Sequence, residues 1–246
     1  KNSSRNKNNL DNELFFKDKL TKRKDIEDFI WGKHSVLEAI KEERPINRIW
    51  CTAEIFSSDK FYLSLKDLKK KGVLIEEVSW TRLAQLTYGA VHQGIVLQVS
   101  HAKTITLHDL ISLSKRTKKN LIIALDGITD PHNVGAIIRS AEAFGCIGVI
   151  IPQRRSAGIT GTVAKVSAGA LEHINICRVV NLNRALEDLK NSGSIVIGLS
   201  LDGQIEISTY MNDDPFIVLV IGSEDKGLSL LTQKNCDYLM KIPLKG

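Results

Sequence analysis

Four short and nearly continuous apolar runs in the second half of the chain constrain its fold most strongly. Helical segments separate these runs, which are LIIALDG at 121–127, CIGVIIP at 146–152, IVIGLS at 195–200 and FIVLVIG at 216–222. Strands that are apolar on both faces are typical of a parallel sheet with helices packed on both sides. We therefore expect residues 120–246 to form an α/β domain in which right-handed crossovers join parallel strands.

The residues before this domain alternate between short helical and short strand-like patterns. Helices are predicted at SVLEAI, 35–40, and in the lysine-rich stretch from Tyr62 to Lys71, and strands are predicted at RIWCTAEI, VLIEEVS and HQGIVLQVS. Residues 27–100 are thus expected to form a small αβ domain. Residues 101–119 contain one short helical segment followed by a charge-rich run, and they are predicted to be an interdomain linker.

Positive charge is concentrated at the start of the chain. The formal net charge is +6, and residues 1–24 hold eight Lys or Arg against three Asp or Glu, a net of +5, so +1 remains for all later residues. Cationic surface favours a nucleic-acid partner because binding to phosphates releases counterions. Residues 1–26 are expected to be a basic, disordered tail, and two interpretations stay open: a solvated tail and an arm that grips RNA.

Composition also argues against two classes of protein. No run approaches the roughly 18 apolar residues of a membrane span, and the polar start has no apolar signal segment, so a cytoplasmic protein is expected. The four cysteines lie far apart without a CxxC pair, which predicts reduced thiols and no metal site.

The segment after the first apolar run carries the first candidate site residues. It lacks the dinucleotide-binding fingerprint GxGxxG and continues instead as ITDPHNVGAIIRSAEAFG, 128–145. A turn at Asp130 and Pro131 is expected, followed by a helix that Asn133 caps. Arg139 lies off the buried stripe of this helix, which the spacing predicts at Val134, Ile137, Ile138 and Ala141. By itself, this segment favours a helix cap at Asn133 and a solvated Arg139.

Two later segments end a strand at a polar loop that contains glycine. FIVLVIGSEDKGL, 216–228, presents Glu224 after Gly222, and KIPLKG, 241–246, ends the next strand with Pro243 and Gly246. Ligand crevices of α/β sheets lie at the carboxyl ends of strands, and glycine lets the backbone approach a ligand closely. Glu224 alone is equally consistent with a carboxylate near a helix N-terminus. Together, the loops predict a ligand site at this edge of the sheet.

In this order and spacing, DPHNVGAIIRSAEAFG, VIGSEDKGL and IPLKG resemble the three signature motifs of the SpoU branch of the SPOUT RNA methyltransferases, the SpoU/TrmH family. SAGALEHI, 167–174, and IWGKHSVLEAI, 30–40, further resemble the bacterial 23S rRNA guanosine 2′-O-methyltransferases. The resemblance covers residues 30–246. It implies a C-terminal SPOUT domain with a parallel sheet and a trefoil knot, a homodimer, and a small ribosomal-protein-like RNA-binding domain in front.

The resemblance also implies an activity, in which a methyl group passes from S-adenosylmethionine to a ribose 2′-hydroxyl of RNA, here a guanosine of 23S rRNA. The implied catalytic residues are Asn133, Arg139 and Glu224. Arg139 would contact the reacting hydroxyl or an adjacent phosphate, either as an unusually desolvated base or as a stabiliser of the developing alkoxide, and the other two would orient it. The implied cofactor contacts, made largely through backbone atoms, are at Leu199, Ser200, Gly203, Gly222, Ile242 and Leu244.

Four further residues are candidate RNA contacts. Lys33 and His34 lie next to Trp31 in the front domain, where an exposed aromatic ring beside cations suits unpaired bases, although Trp31 is equally suited to the core. His132 and Lys165 are the candidates in the second domain. For each of these side chains a solvated surface position is the alternative interpretation.

Two alternative functions remain open at this level. The first is a tRNA ribose methyltransferase of the same family, although the resembling tRNA enzymes generally lack the front domain. The second is an RNA-binding protein with a catalytically inert knot. In the resembling proteins the third motif continues into a serine, leucine and asparagine segment. The sequence stops at Gly246, so we expect the remaining residues to lie beyond it, the alternative being a truncated and inactive member.

Overall fold

The computed structural model describes residues 28–116, 120–210 and 216–243. The described residues divide into two compact units, one that ends at Ser100 and one that begins at His101. The expected basic tail at 1–26 lies outside the described residues. No helix in the described ranges is long and apolar enough to cross a membrane.

The first unit is a four-stranded sheet with four helices. Its strands are β1 (Phe29–Trp31), β2 (Ile46–Cys51), β3 (Leu74–Glu77) and β4 (Ile95–Val99), in the order β1-β4-β2-β3. Its helices are α1 (Lys33–Lys41), α2 (Ala53–Phe56), α3 (Asp59–Lys70) and α4 (Trp80–Leu86). Strands β2 and β3 are parallel, whereas β4 is antiparallel to both β1 and β2.

Both faces of this sheet are covered, because neighbouring residues of a strand point to opposite sides. Ile49 pairs with Leu97 in a core that also holds Val36 of α1 and Phe61 of α3. The next pair, Trp50 and Val96, packs on α4 in a smaller cluster. The unit therefore has a larger core on one face of the sheet and a smaller core on the other.

Most of the elements expected in the first unit are confirmed, with one error. The helices at 35–40 and in the lysine-rich stretch are α1 and α3, and VLIEEVS and HQGIVLQVS contain β3 and β4. The strand expected through RIWCTAEI is wrong at its end, because β2 stops at Cys51, extended Thr52 follows, and 53–56 form a helical turn. Strand β1 and helix α4 were not anticipated.

In its described residues, the second unit contains an eight-stranded sheet in which all neighbouring strands are parallel. The order is β10-β12-β9-β11-β6-β7-β8-β5. The strands are β5 (Thr104–Ile105), β6 (Asn120–Asp126), β7 (Gly148–Pro152), β8 (Asn175–Val179), β9 (Ile195–Leu199), β10 (Ile205–Glu206), β11 (Phe216–Gly222) and β12 (Tyr238–Lys241). The helices are α5 (Leu107–Ser114), α6 (Pro131–Ala143), α7 (Gly161–Val166), α8 (Leu182–Asn191) and α9 (Leu230–Asn235).

The expectation of strands apolar on both faces is confirmed in β6. Ile122 and Ala124 are buried in one core cluster, whereas Ile123 and Leu125, which point to the opposite face, are buried in the other. Because the strands are parallel, their carboxyl ends lie along one edge of the sheet. The trefoil knot that the resemblance implies stays a prediction, and 244–246 lie outside the described residues.

The expected linker at 101–119 is wrong for its described part, 101–116. Strand β5 pairs with β8, and Leu110 of α5 is fully buried in the core of the second unit. Thr106 caps α5 in a reciprocal arrangement with Asp109, which fixes the start of the helix. The charge-rich run favoured a linker, but the apolar residues that pack into the core lie in α5, before that run begins. Residues 101–116 therefore belong to the second unit.

All four cysteines are free thiols, as the sequence indicated. Burial raises the pKa of Cys51 to about 11 and that of Cys177 to about 12. Burial also raises the pKa of Cys236 to about 11, with the carboxylate of Asp237 adding to the effect. These thiols are therefore protonated near neutral pH.

Candidate functional site

A pocket of about 560 Å³ opens at the carboxyl edge of the second sheet. It is lined by residues 199–202, from the last residue of β9 onward, and by 221–228, from the last two residues of β11 onward. Ile242, which follows β12, and Gln233 of α9 complete the lining. Strands β12, β9 and β11 are adjacent and parallel, so the loops that follow them meet at one place. Four of the expected cofactor contacts, Leu199, Ser200, Gly222 and Ile242, lie in this lining, whereas Leu244 lies outside the described residues.

The loop after β11 is a tight turn that requires glycine where it begins. A Cβ atom on Gly222 would lie 2.2 Å from the carbonyl carbon of Gly227, so no side chain fits there without moving backbone. Ser223 and Gly227 close the turn with two backbone hydrogen bonds, of 3.1 and 2.8 Å. Gly227 has φ +61°, a conformation that glycine adopts without strain. The turn presents residues 224–226 to the pocket.

The loop after β9 is held against β12. The Ser200 N–H donates to the Met240 carbonyl at 2.9 Å, and the Gly203 N–H donates to the Ser200 carbonyl at 3.1 Å. A Cβ atom on Gly203 would lie 2.5 Å from the carbonyl carbon of Met240. Gly203, expected to contact a cofactor, does not line the pocket, and its role in the fold is to let this loop lie against β12.

The expectation that Asn133 caps helix α6 is wrong. The Asp130 carboxylate accepts a hydrogen bond from the His132 N–H at 2.8 Å and caps the helix, and Pro131 occupies the first helical position. Proline suits that position because the N–H it lacks has no helical partner there. Asn133 is therefore the third residue of α6, and its side chain is free to make another contact.

That contact joins two of the predicted loops. The Asn133 side-chain amide donates to a carboxylate oxygen of Glu224, 91 residues later in the chain. A second link lies nearby, where the Ser229 N–H donates to the carboxylate of Asp126 at 2.8 Å. The start of α6 and the end of β6 are thus tied to the loop after β11. Sequence reasoning missed Asp126, whose position at the end of a strand was the available signal.

Arg139 lies apart from these two side chains. It is exposed, it does not line the pocket, and it makes no hydrogen bond or ion pair with residues that the structure describes. The expected contact of Asn133 and Glu224 with Arg139 is therefore not found in a single copy of the chain. The buried stripe of α6 is confirmed at Val134, Ile138 and Ala141, with Ile137 partly buried.

The pocket has a negative lining. Among the described residues that line it, three carboxylates, those of Asp202, Glu224 and Asp225, stand against one cation, Lys226. Leu201 and Ile242 add apolar surface, and they are 79% and 53% exposed. A ligand that carries positive charge and an apolar ring suits such a lining. Sequence reasoning missed Asp202 and Asp225, although each lies three residues beyond a strand end.

The four candidate RNA contacts are all exposed. Lys33 and His34 lie at the start of α1 in the first unit, and His132 and Lys165 lie on α6 and α7 in the second. Trp31 is half-buried and packs against the smaller core cluster of the first unit, in agreement with its core interpretation.

Comparisons with known proteins match the two parts of the chain to two different families. The family described as SpoU rRNA Methylase matches residues 120–246, and the family described as RNA 2′-O ribose methyltransferase substrate binding matches residues 29–104. A Synechocystis protein named as an uncharacterized tRNA/rRNA methyltransferase is 48% identical over 220 residues, which are 89% of this chain and 57% of that protein. YacO of Bacillus subtilis, named as a TrmH family tRNA/rRNA methyltransferase, is 38% identical over 89% of this chain and 87% of its own length.

Two solved structures share the fold. An rRNA methyltransferase from Sinorhizobium meliloti with bound AdoMet has a TM-score of 0.53 and 22% identity over 89% of this chain and 78% of its own. The SpoU methyltransferase AviRb from Streptomyces viridochromogenes, also in complex with AdoMet, has a TM-score of 0.52 and 21% identity over 89% of this chain and 81% of its own.

Proposed function

This chain belongs to the SpoU rRNA methylase family, and we propose that it transfers a methyl group from S-adenosylmethionine to a ribose 2′-hydroxyl of RNA, with a guanosine of 23S rRNA as the target. The observation that carries the proposal is the acidic pocket at the carboxyl edge of the sheet, next to the Asn133–Glu224 contact. The substrate-binding match at 29–104 supports an RNA partner, and the cytoplasm is proposed as the place of the reaction.

The residues of the pocket fit S-adenosylmethionine. The cofactor carries positive charge on its sulfonium and ammonium groups, and the carboxylates of Asp202, Glu224 and Asp225 attract both. Leu201 and Ile242 offer apolar surface to the adenine ring. The tight turn at Gly222 brings backbone groups to the pocket wall, where they can hydrogen-bond the ligand. When bound, the cofactor supplies an electrophilic methyl group.

Arg139 is proposed to act on the ribose rather than on the cofactor. A 2′-hydroxyl has a high pKa, so its attack needs orientation and stabilisation of the charge that develops on oxygen. Side chains of a helix tilt toward its N-terminus, and Arg139 lies six residues, about 9 Å, beyond Asn133 along α6. Arg139 does not line the pocket of its own copy, so its proposed role follows from its match to the family motif. In that role a permanently cationic group stabilises an alkoxide better than it removes a proton.

Asn133 and Glu224 are proposed to hold the reacting groups in place. Their contact ties the start of α6 to the turn after β11. The second carboxylate oxygen of Glu224 makes no hydrogen bond with the described residues, so it can accept one from the substrate. Lys33, His34, His132 and Lys165 are proposed RNA contacts because all four are exposed.

A homodimer is proposed on the basis of exposed apolar side chains in the second unit. Leu230 and Leu231 of α9 are 78% and 58% exposed and lie outside the pocket lining, so they stay available to a partner when a cofactor is bound. Exposed apolar surface is stabilised when a second copy covers it. Sedimentation of the purified full-length protein tests this assembly.

The proposal is tested with purified protein and two RNA substrates. We expect methylation of 23S rRNA but not of tRNA, and loss of one 2′-O-methylguanosine from the rRNA of a deletion strain by mass mapping. Arg139→Ala is expected to abolish methyl transfer while S-adenosylmethionine binding by calorimetry persists. Methylation of tRNA alone would favour the tRNA alternative, and absence of cofactor binding would favour the inert RNA-binding protein.

A further inference from the structure

Trp80 in the first unit presents an exposed ring on a rigid support. It is the first residue of α4 and is 52% exposed, whereas Trp50 is 7% exposed and lies in the core. Its ring contacts that of His92, with ring centroids 5.0 Å apart. His92 is buried, its Nδ1 accepts a hydrogen bond from the Gly94 N–H at 3.1 Å, and burial lowers its pKa. A neutral, fixed imidazole thus holds the indole in place.

Two adjoining hollows share Trp80 and Glu54 in their linings. The smaller, of about 350 Å³ and called here the Trp80 hollow, is lined by Lys33, Glu54, Ile55, Ser58, Trp80 and Gln93. The larger, of about 430 Å³, contains Glu54 and Glu77 and no Lys or Arg among its described lining residues. Because RNA carries a phosphate on every nucleotide, the hollow with a cation is the better RNA site.

The polar side chains of the Trp80 hollow include groups that can hydrogen-bond a ligand. The Lys33 N–H donates to Oε1 of Gln93 at 2.8 Å, which fixes the side-chain amide of Gln93. Its Nε2 makes no hydrogen bond within the described part of the chain, and neither does the Glu54 carboxylate. The hollow therefore combines a flat apolar ring, two kinds of donor in Gln93 and Lys33, and a carboxylate acceptor.

We infer that the Trp80 hollow binds an unpaired guanine of the substrate RNA. Guanine carries two adjacent donors, N1–H and the N2 amine, which match the two oxygens of the Glu54 carboxylate. Its acceptors O6 and N7 match Lys33 and the Gln93 amide. Its ring stacks on the indole of Trp80, as unpaired bases do on aromatic side chains.

Glu54 is the residue that would make the hollow bind guanine specifically rather than any phosphate of the RNA backbone. A carboxylate repels RNA phosphates, so its presence in an RNA-binding hollow is unfavourable unless it accepts hydrogen bonds from a base. Adenine has no N1–H donor on its Watson–Crick edge, so it would leave the carboxylate without its pair of donors. This inference rests on the proposed function, because it takes RNA as the substrate.

The test uses the full-length protein and a fluorescein-labelled single-stranded oligoadenylate RNA with one central guanosine. Two matched probes carry adenosine or inosine at that position, and inosine lacks only the N2 amine. We expect the guanosine probe to bind tightest by fluorescence anisotropy. Trp80→Leu is expected to weaken its binding roughly 5- to 150-fold, the range for loss of one stacked base. Glu54→Gln is expected to remove the preference for guanosine over adenosine.

A matched control comes from another exposed aromatic residue of the same unit. Tyr62 is 46% exposed with the Lys66 ammonium 5.5 Å from its ring centre, but it does not line the hollow. Tyr62→Leu is expected to leave the affinity unchanged. Glu54 is a surface residue, so Glu54→Gln keeps the test decisive if Trp80→Leu fails to fold.

Three results would overturn the inference: equal affinity for the guanosine and adenosine probes, unchanged affinity in folded Trp80→Leu, and a guanosine preference that survives Glu54→Gln. RNA methylation without guanosine preference would reject the hollow and leave the proposed function intact. Failure to bind any RNA would reject both.

Discussion

Replacement of Gly222 by alanine is expected to disrupt the turn that shapes the pocket. The added Cβ would lie 2.2 Å from the carbonyl carbon of Gly227 and 2.4 Å from the nitrogen of Leu228. Carbon atoms in ordinary contact are about 3.5–4.0 Å apart, so the two segments must separate by about 1 Å or more. Since all the contacted atoms belong to backbone, no side chain can rotate away to relieve the collision.

The cost follows from what this separation breaks. The Ser223–Gly227 turn would lose two backbone hydrogen bonds, each worth about 0.5–1.5 kcal/mol, and overpacking adds about 1–3 kcal/mol. A total of about 2–6 kcal/mol lowers the Tm of a unit of this size by roughly 5–20 °C. Because residues 224–226 lie in the turn, affinity for S-adenosylmethionine should fall as well.

Calorimetry measures both quantities, with Ser223→Ala as the matched control. Within the described part of the chain, the Ser223 hydroxyl accepts only the Lys226 N–H, at 3.3 Å, so its removal should cost less than about 1 kcal/mol. A Gly222→Ala protein with the Tm and cofactor affinity of the wild type would show that the turn adapts, and the argument from close backbone approach would be wrong.

Three further predictions concern charge and ionisation. Glu224→Gln keeps an oxygen that can accept from Asn133 but loses the carboxylate, so methyl transfer should fall with little change in Tm, whereas equal losses in both would indicate a purely structural role. Burial lowers the pKa of His92 below its ordinary 6.5, so the unfolded state binds the proton first. The contribution of His92 to the free energy of unfolding should therefore be largest above pH 6.5 and decline below it. In urea titrations at pH 5–8, His92→Asn should show a smaller decline than the wild type; the same pH dependence in both proteins would contradict the lowered pKa of His92. Cys51 and Cys177, with pKa values raised to about 11 and about 12, should react with a thiol reagent at pH 8 only after unfolding, which a spectrophotometric count in native and denaturing buffer checks.

Local pattern was sufficient where one stretch of chain decides its own structure. The apolar runs at 121–127 and 216–222 predicted buried parallel strands, and β6 and β11 pair over seven residues. The buried face of α6 could likewise be predicted, because a 3.6-residue period of apolar residues is recognised without knowing what the helix packs against. The sequence pattern was insufficient where two residues could each cap the same helix. Asp130 and Asn133 both suit a cap, and the helix begins after Asp130.

The sequence by itself determined the fold class, the family resemblance and the residue types of the candidate site, because these depend on periodicity and motif order. Only the tertiary structure decided which of those residues meet. The Asn133–Glu224 contact spans 91 residues and exists because strand order places β11 next to β6. Arg139, from the same motif as Asn133, stays apart because it lies on the exposed side of α6. Trp80 likewise became a candidate site residue only once His92 was found beneath it, since exposure and support are properties of packing.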